Sequence, residues 1–130
     1  LALPENVRGI VADCPYTNAK DIICSVAQGM VIPAAWLYPF ARVSAKIFGH
    51  ADLAQADALS AVRYARLPIL LIHGEDDHFV PLKMAFENRD ACAAPCKLLV
   101  VPGADHAMSY YMGRGAYEAA VRAFWEHFDK

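Results

Sequence analysis

Three short runs dense in β-branched and leucine side chains punctuate the chain, Val7–Ala12, Leu67–Ile72 and Lys97–Val101, and each breaks off into polar residues with Gly or Pro close by. Apolar runs of this length, bounded by turn residues, predict buried strands. The first leaves at Asp13-Cys14-Pro15-Tyr16-Thr17, where Pro15 stops it. From Asn18 the apolar period changes: Ile22, Ile23, Val26, Ala27 and Met30 recur at helical spacing, with Asn18 as cap and Asp21 in the first turn. An aromatic, proline-punctuated passage follows (Pro33, Trp36, Leu37, Tyr38, Pro39, Phe40), and then a helix is predicted over about 41–48, ending at Gly49. After the second strand, Pro81 opens a helix that runs to about Cys92. Beyond the third strand come a short helical turn after His106 and, past Gly115, an amphipathic helix. There Tyr117, Ala120, Val121, Phe124 and Phe128 form one stripe, Trp125 flanks it, and Glu118, Arg122, Glu126 and Asp129 face away.

The order β, long helical insert, β, α, β, α predicts an α/β fold: three parallel strands with flanking helices and right-handed crossovers. About 55 residues separate the first two strands, against the dozen or somewhat more that a crossover needs. Residues 17–66 should therefore include an elaboration lying over the sheet edge.

At 130 residues the chain fits one domain, 1–130, with a core of ordinary size. Apolar residues reach 57%, much of it Ala, above the usual 45–50% or so, which points to surface meant to be covered. A net charge of −2 with interspersed signs gives no basic stripe for nucleic acid and no polybasic segment for membrane lipid. Cys14, Cys24, Cys92 and Cys96 form neither a disulfide framework nor a zinc pattern and are expected as free thiols. No apolar run approaches about 18 residues and no signal-peptide pattern is present, so a cytoplasmic location is expected. Opening on Leu1 rather than Met, the chain reads as a piece of a longer protein whose address label is unknown.

Chemistry is expected in the loops after the second and third strands, Gly74-Glu75-Asp76-Asp77-His78 and Gly103-Ala104-Asp105-His106. In open α/β sheets ligands bind beyond the carboxyl ends of the strands, and these loops offer an acid and an imidazole from one sheet edge. A carboxylate that holds one ring nitrogen lets the other take a proton from an alcohol or thiol. His73, His78, His50 and His127 are expected to be loop or surface residues. His73, Asp76 and His78 are not expected to hold a metal, because neighbours in one turn rarely converge on a single ion. No cofactor is implied.

The passages VRGIVADCPYT (7–17), PILLIHGEDDHFVP (68–81) and VPGADHAMSY (101–110) resemble the C-terminal half of an α/β-hydrolase, near the bacterial esterase and serine-aminopeptidase-like branches. The resemblance covers essentially the whole chain. It implies a partial α/β-hydrolase fold, with Asp77 as triad acid (Asp76 its nearest competitor) and His106 as triad base. It further implies a hydrolase acting on a carboxylic ester or related acyl substrate, and makes 17–66 a helical cap-like insert in which Trp36, Leu37, Tyr38 and Phe40 either line an acyl pocket or pack the cap onto the sheet.

The family's Gly-x-Ser-x-Gly elbow has no counterpart, since Ser25, Ser44, Ser60 and Ser109 lack the flanking glycines and the preceding strand. The chain alone is therefore expected to be inactive, with the missing N-terminal half of the fold as its partner. An Asp or Cys nucleophile at that elbow is the alternative within enzymes. The alternative outside them is a non-catalytic assembly module that pairs through the edge of its first strand, with the other half or with a second copy.

Overall fold

A computed structural model describes residues 4–29 and 33–129. Strand β1 (Ile10–Asp13) precedes helices α1 (Ala19–Gly29) and α2 (Ala34–Phe48), a 3-10 turn (Leu53–Gln55) and the short α3 (Ala58–Val62). Then come β2 (Ile69–Gly74), α4 (Leu82–Ala91), β3 (Cys96–Val101), α5 (Ser109–Met112) and α6 (Arg114–Phe128). The strands form one parallel sheet in the order β1-β2-β3, with Val11 beside Leu70 beside Lys97 and Asp13 beside Ile72 beside Leu99.

Every residue of the central strand β2 is buried, as expected of a parallel strand covered on both faces. Side chains alternate across it. On one face Leu70 and Ile72, with Val101 and Ala104, pack around Phe124 of α6, and Val11, Leu99, Tyr117, Ala120, Val121, Trp125 and Phe128 close the cluster. The apolar stripe read from the sequence of α6 is thus the one that meets the sheet. On the other face α4 contributes Met84, Ala85 and Asn88, all buried. Three parallel strands between helices, with loops gathered at the strands' carboxyl ends, match the partial α/β-hydrolase fold that the resemblance implies.

Several expected boundaries shift, among them that of the central strand, which covers Ile69–Gly74 rather than 67–72. The first strand covers Ile10–Asp13 rather than 7–12. Helix α2 begins at Ala34 and runs through Pro39 rather than starting after it. Proline there forgoes one intrahelical hydrogen bond, but helix geometry keeps Leu37 and Ala41 one turn apart on a single face, and both line the same cavity with α1. Asn18 caps α1 as expected, accepting from the Asp21 amide at 2.8 Å. Met30, assigned to the apolar face of that helix, lies outside the described residues.

The long connection between β1 and β2 is pinned at its base. Ala19 N–H donates to the Ala56 carbonyl (2.8 Å) and Leu59 N–H to that of Thr17 (2.9 Å), with an antiparallel bridge between Asn18 and Asp57. Helices α1 and α2 pack on each other and on the 3-10 turn. No helix among the described residues is long and apolar enough to cross a membrane.

Phe124, 2% exposed, fills the centre of the α6–sheet contact, so Phe124→Ala should lower unfolding free energy by about 3–5 kcal/mol. Urea unfolding checks this; a loss below about 1 kcal/mol would place the core elsewhere.

Candidate active site

Both site loops start where a strand ends. Beyond β2, Glu75 N–H donates to the Val101 carbonyl (2.9 Å) and Asp76 N–H to that of Ala104 (3.0 Å), which fastens the loop to the chain leaving β3. This contact is possible because position 74 is glycine: a Cβ there would run into the Ala104 carbonyl. Asp105 adds a side-chain clasp, its Oδ1 accepting from the His78 amide at 3.0 Å and the His106 amide at 2.7 Å.

Within this frame the Asp77 carboxylate points inward. Its Oδ1 accepts from the amides of Phe79 (2.9 Å) and Val80 (2.7 Å), and its Oδ2 lies 2.9 Å from His106 Nδ1. The structure thus brings the two sequence-assigned residues together from 29 positions apart. An ionised carboxylate only accepts, so His106 Nδ1 carries the proton and donates it, and Nε2 is left as the basic nitrogen. Nε2 has no hydrogen-bond partner among the described residues. The Asp77 side chain is inaccessible and that of His106 is 38% exposed, so the acid is sheltered and the base faces the cavity. Burial opposes ionisation of Asp77, but the Val80 amide, the His106 ring and the Phe79 amide together hold its carboxyl below the usual range. Asp76, the competing acid, is exposed, and it joins the tie between the loops through its backbone amide.

Sequence reading missed two contributors. His73, expected on a loop or surface, is the buried penultimate residue of β2. Its Nε2–H donates to the Val80 carbonyl at 2.9 Å and lies 3.3 Å from Asp77 Oδ2, bracing the acid's turn from beneath. The signal was available, because a residue that continues an apolar strand before glycine shares that strand's burial. His78 and His50 are exposed, as expected. The second contributor is Cys14, whose Sγ lies with ligand-forming atoms of Asp77 and His106 inside a 4.8 Å cluster. Burial first, then the neighbouring Asp13 and Asp77, push its thiol up to about 12 against the Ala107 amide, so at neutral pH it is a protonated thiol and a poor nucleophile. No spacing rule connects residues 14, 77 and 106.

A cavity of about 730 Å³ opens beside His106, within the range of small-molecule sites. Its walls are Ile22, Ile23 and Val26 of α1, Leu37 and Ala41 of α2, Tyr16, Phe79 and Val80, with Asp13, Cys14 and His106 at one end. Phe79 packs against the His106 ring, centroids 5.0 Å apart. Of the four residues expected either to line an acyl pocket or to pack the insert onto the sheet, Leu37 alone is part of the cavity wall. Trp36 and Phe40 are 77% and 73% exposed, because they occupy the next stripe of α2, one residue out of phase with Leu37 and Ala41; half-buried Tyr38 is not part of the wall.

Comparison with known proteins agrees with the architecture. The chain is 24% identical over 120 residues to the uncharacterized protein YqkD of Bacillus subtilis (strain 168), covering 92% of this chain and 39% of that protein. It is 32% identical over 60 residues to the bifunctional esterase/perhydrolase DCH of Acinetobacter calcoaceticus, covering 46% of this chain and 22% of that one. Among solved structures it superposes on MGS-MChE2, an α/β-hydrolase enzyme from the metagenome of lagoon sediments at Mar Chica, Morocco, with a TM-score of 0.60 at 12% identity over 95% of this chain and 52% of that one. No protein-family model matches. The chain thus spans well under half the length of the curated relatives it matches.

Because the Asp77 carboxyl is held below its unfolded value of about 3.9, its contribution to stability is present above that pH and is lost as pH falls through the lower folded value. As pH falls below about 4, the urea midpoint of the unmodified protein should therefore fall more steeply than that of Asp77→Asn. Parallel pH profiles would mean that the carboxylate is not stabilised in the fold.

Proposed function

We propose that the protein is a hydrolase of carboxylic esters or related acyl compounds, with His106 as general base and then general acid and Asp77 as its orienting carboxylate. The observation that carries this is the 2.9 Å contact of a fully buried carboxylate with Nδ1 of a cavity-facing imidazole. In this reading Nε2 takes the proton of an attacking hydroxyl and later returns it to the leaving alkoxide, while Asp77 stabilises the imidazolium formed in between. The esterase/perhydrolase among the relatives supports the substrate class.

Neither the nucleophile nor the oxyanion-hole amides belong to this chain in the proposal. A serine on a strand-to-helix elbow would come from the rest of the fold, pairing along the outer edge of β1, which has no strand neighbour among the described residues. The pinned helical excursion of residues 17–66 then acts as the cap, and α1 supplies the acyl wall. A half-fold module that only assembles is the second reading, favoured by that same unpaired edge; a second copy on the edge, seen as a dimer by size-exclusion, would support it.

Turnover of a short-chain aryl ester tests the first reading. The full encoded protein should be active, residues 1–130 alone should not, and His106→Ala in the full protein should cost on the order of 10⁴-fold or more in kcat. Turnover by residues 1–130 alone that vanishes in His106→Ala would contradict the missing-nucleophile claim. Val26→Phe should shorten the acyl chain that is accepted, whereas Trp36→Ala should leave chain-length preference unchanged; the reverse result would return the pocket to the aromatic stripe of α2.

A further inference from the structure

The chain segment that carries His106 is held from both sides. Before the ring, Asp105 clasps the His106 amide. After it, Ala107 turns into the left-handed region at φ +59°, and its amide donates to Cys14 Sγ at 3.2 Å. Cys14 is itself left-handed at φ +50°. Such conformations are uncommon for residues with a Cβ, and where they persist the surrounding structure enforces them. Here two of them, 93 positions apart, are joined to each other by one hydrogen bond.

The sulfur has a full set of partners. Its S–H donates to Asp13 Oδ1 at 3.3 Å while it accepts from Ala107, and it lies within 4.8 Å of ligand-forming atoms of both Asp77 and His106. Cys14 is 8% exposed and sits where β1 ends, at the cavity wall. A thiol is a weak acceptor, yet it is larger than a hydroxyl and fills the gap between the end of β1 and the His106 loop.

We propose that Cys14 is a positioning residue for His106: by fixing the Ala107 amide it holds the ring with Nδ1 on the Asp77 carboxylate and Nε2 toward the cavity. It acts on the ring through the loop rather than by a hydrogen bond to it. β1 thereby has a third role besides pairing with β2 and walling the cavity, since its exit residue sets the angle of a base delivered by β3. The kinetic consequence rests on the ester-hydrolase reading; the positional one does not.

The test uses the full encoded protein with ¹⁵N-labelled histidine and three variants, Cys14→Ala, Cys14→Gly and Cys14→Ser. The readouts are solvent exchange of the His106 Nδ1 proton and, on an aryl ester, kcat and KM. Alanine removes the acceptor and keeps the backbone strain, glycine removes both, and serine keeps a shorter donor and acceptor. Cys14→Ala and Cys14→Gly should speed Nδ1 proton exchange and lower kcat by on the order of ten- to a hundred-fold with KM little changed, and Cys14→Ser should recover part of both. Wild-type exchange in Cys14→Gly would overturn the proposal, and that variant decides should Cys14→Ala fail to fold. Equal losses in all three variants, serine included, would also overturn it, because they would reflect packing rather than the hydrogen bond. If the protein hydrolyses no ester, the exchange measurement still decides the role of Cys14, and the hydrolase reading alone fails.

Discussion

The loops after β2 and β3 lie in contact because Gly74 has no side chain: a Cβ at that position would collide with the Ala104 carbonyl. Everything at the site follows from this close approach. It lets the amides of Glu75 and Asp76 reach the carbonyls of Val101 and Ala104, so that the two loops are fastened to each other. It also sets Asp77 and His106 at hydrogen-bonding distance without any long side chain having to bridge a gap, so that the pair is oriented by folding itself.

The second consequence is electrostatic. A carboxylate with an inaccessible side chain is costly unless its lone pairs are matched. Asp77 meets this cost with two backbone amides on one oxygen and the His106 ring on the other, with the buried His73 close by. Those amides belong to the turn that leads into α4, so the acid also organises the start of the next helix, and the same contacts that keep it ionised keep it in place. The carboxylate is sheltered and the imidazole is open to the cavity, the asymmetry on which the proposed proton transfer relies. The arrangement is made by three strand ends: β2 gives the carboxylate, β3 the imidazole, and β1 the sulfur that braces the loop beyond it.

Much of this was legible in the sequence where the signal is local. The central strand, the α6 stripe around Phe124, the cap at Asn18 and the presence of an acid and an imidazole in loops at one sheet edge follow from periodicity and turn chemistry, whereas the choice of Asp77 over Asp76 came from the resemblance. What sequence could not give is phase and convergence. Pro39 and the surrounding aromatics suggested a break, but the helix continues, and one residue of phase decides that Leu37 faces the cavity while Trp36 and Phe40 face out. The aliphatic wall came instead from α1, whose spacing reported a buried face without saying what it faces. Cys14 was invisible for a different reason, since three residues scattered over the chain meet only through the parallel register β1-β2-β3.

The central claim, that a sheltered Asp77 carboxylate fixes His106 in one tautomer, is tested most directly by the ring ¹⁵N resonances of His106 in the unmodified protein at neutral pH. Nδ1 should be protonated and Nε2 unprotonated, the assignment disappearing in Asp77→Asn. A proton on Nε2, or a rapid average of the two tautomers, would contradict it.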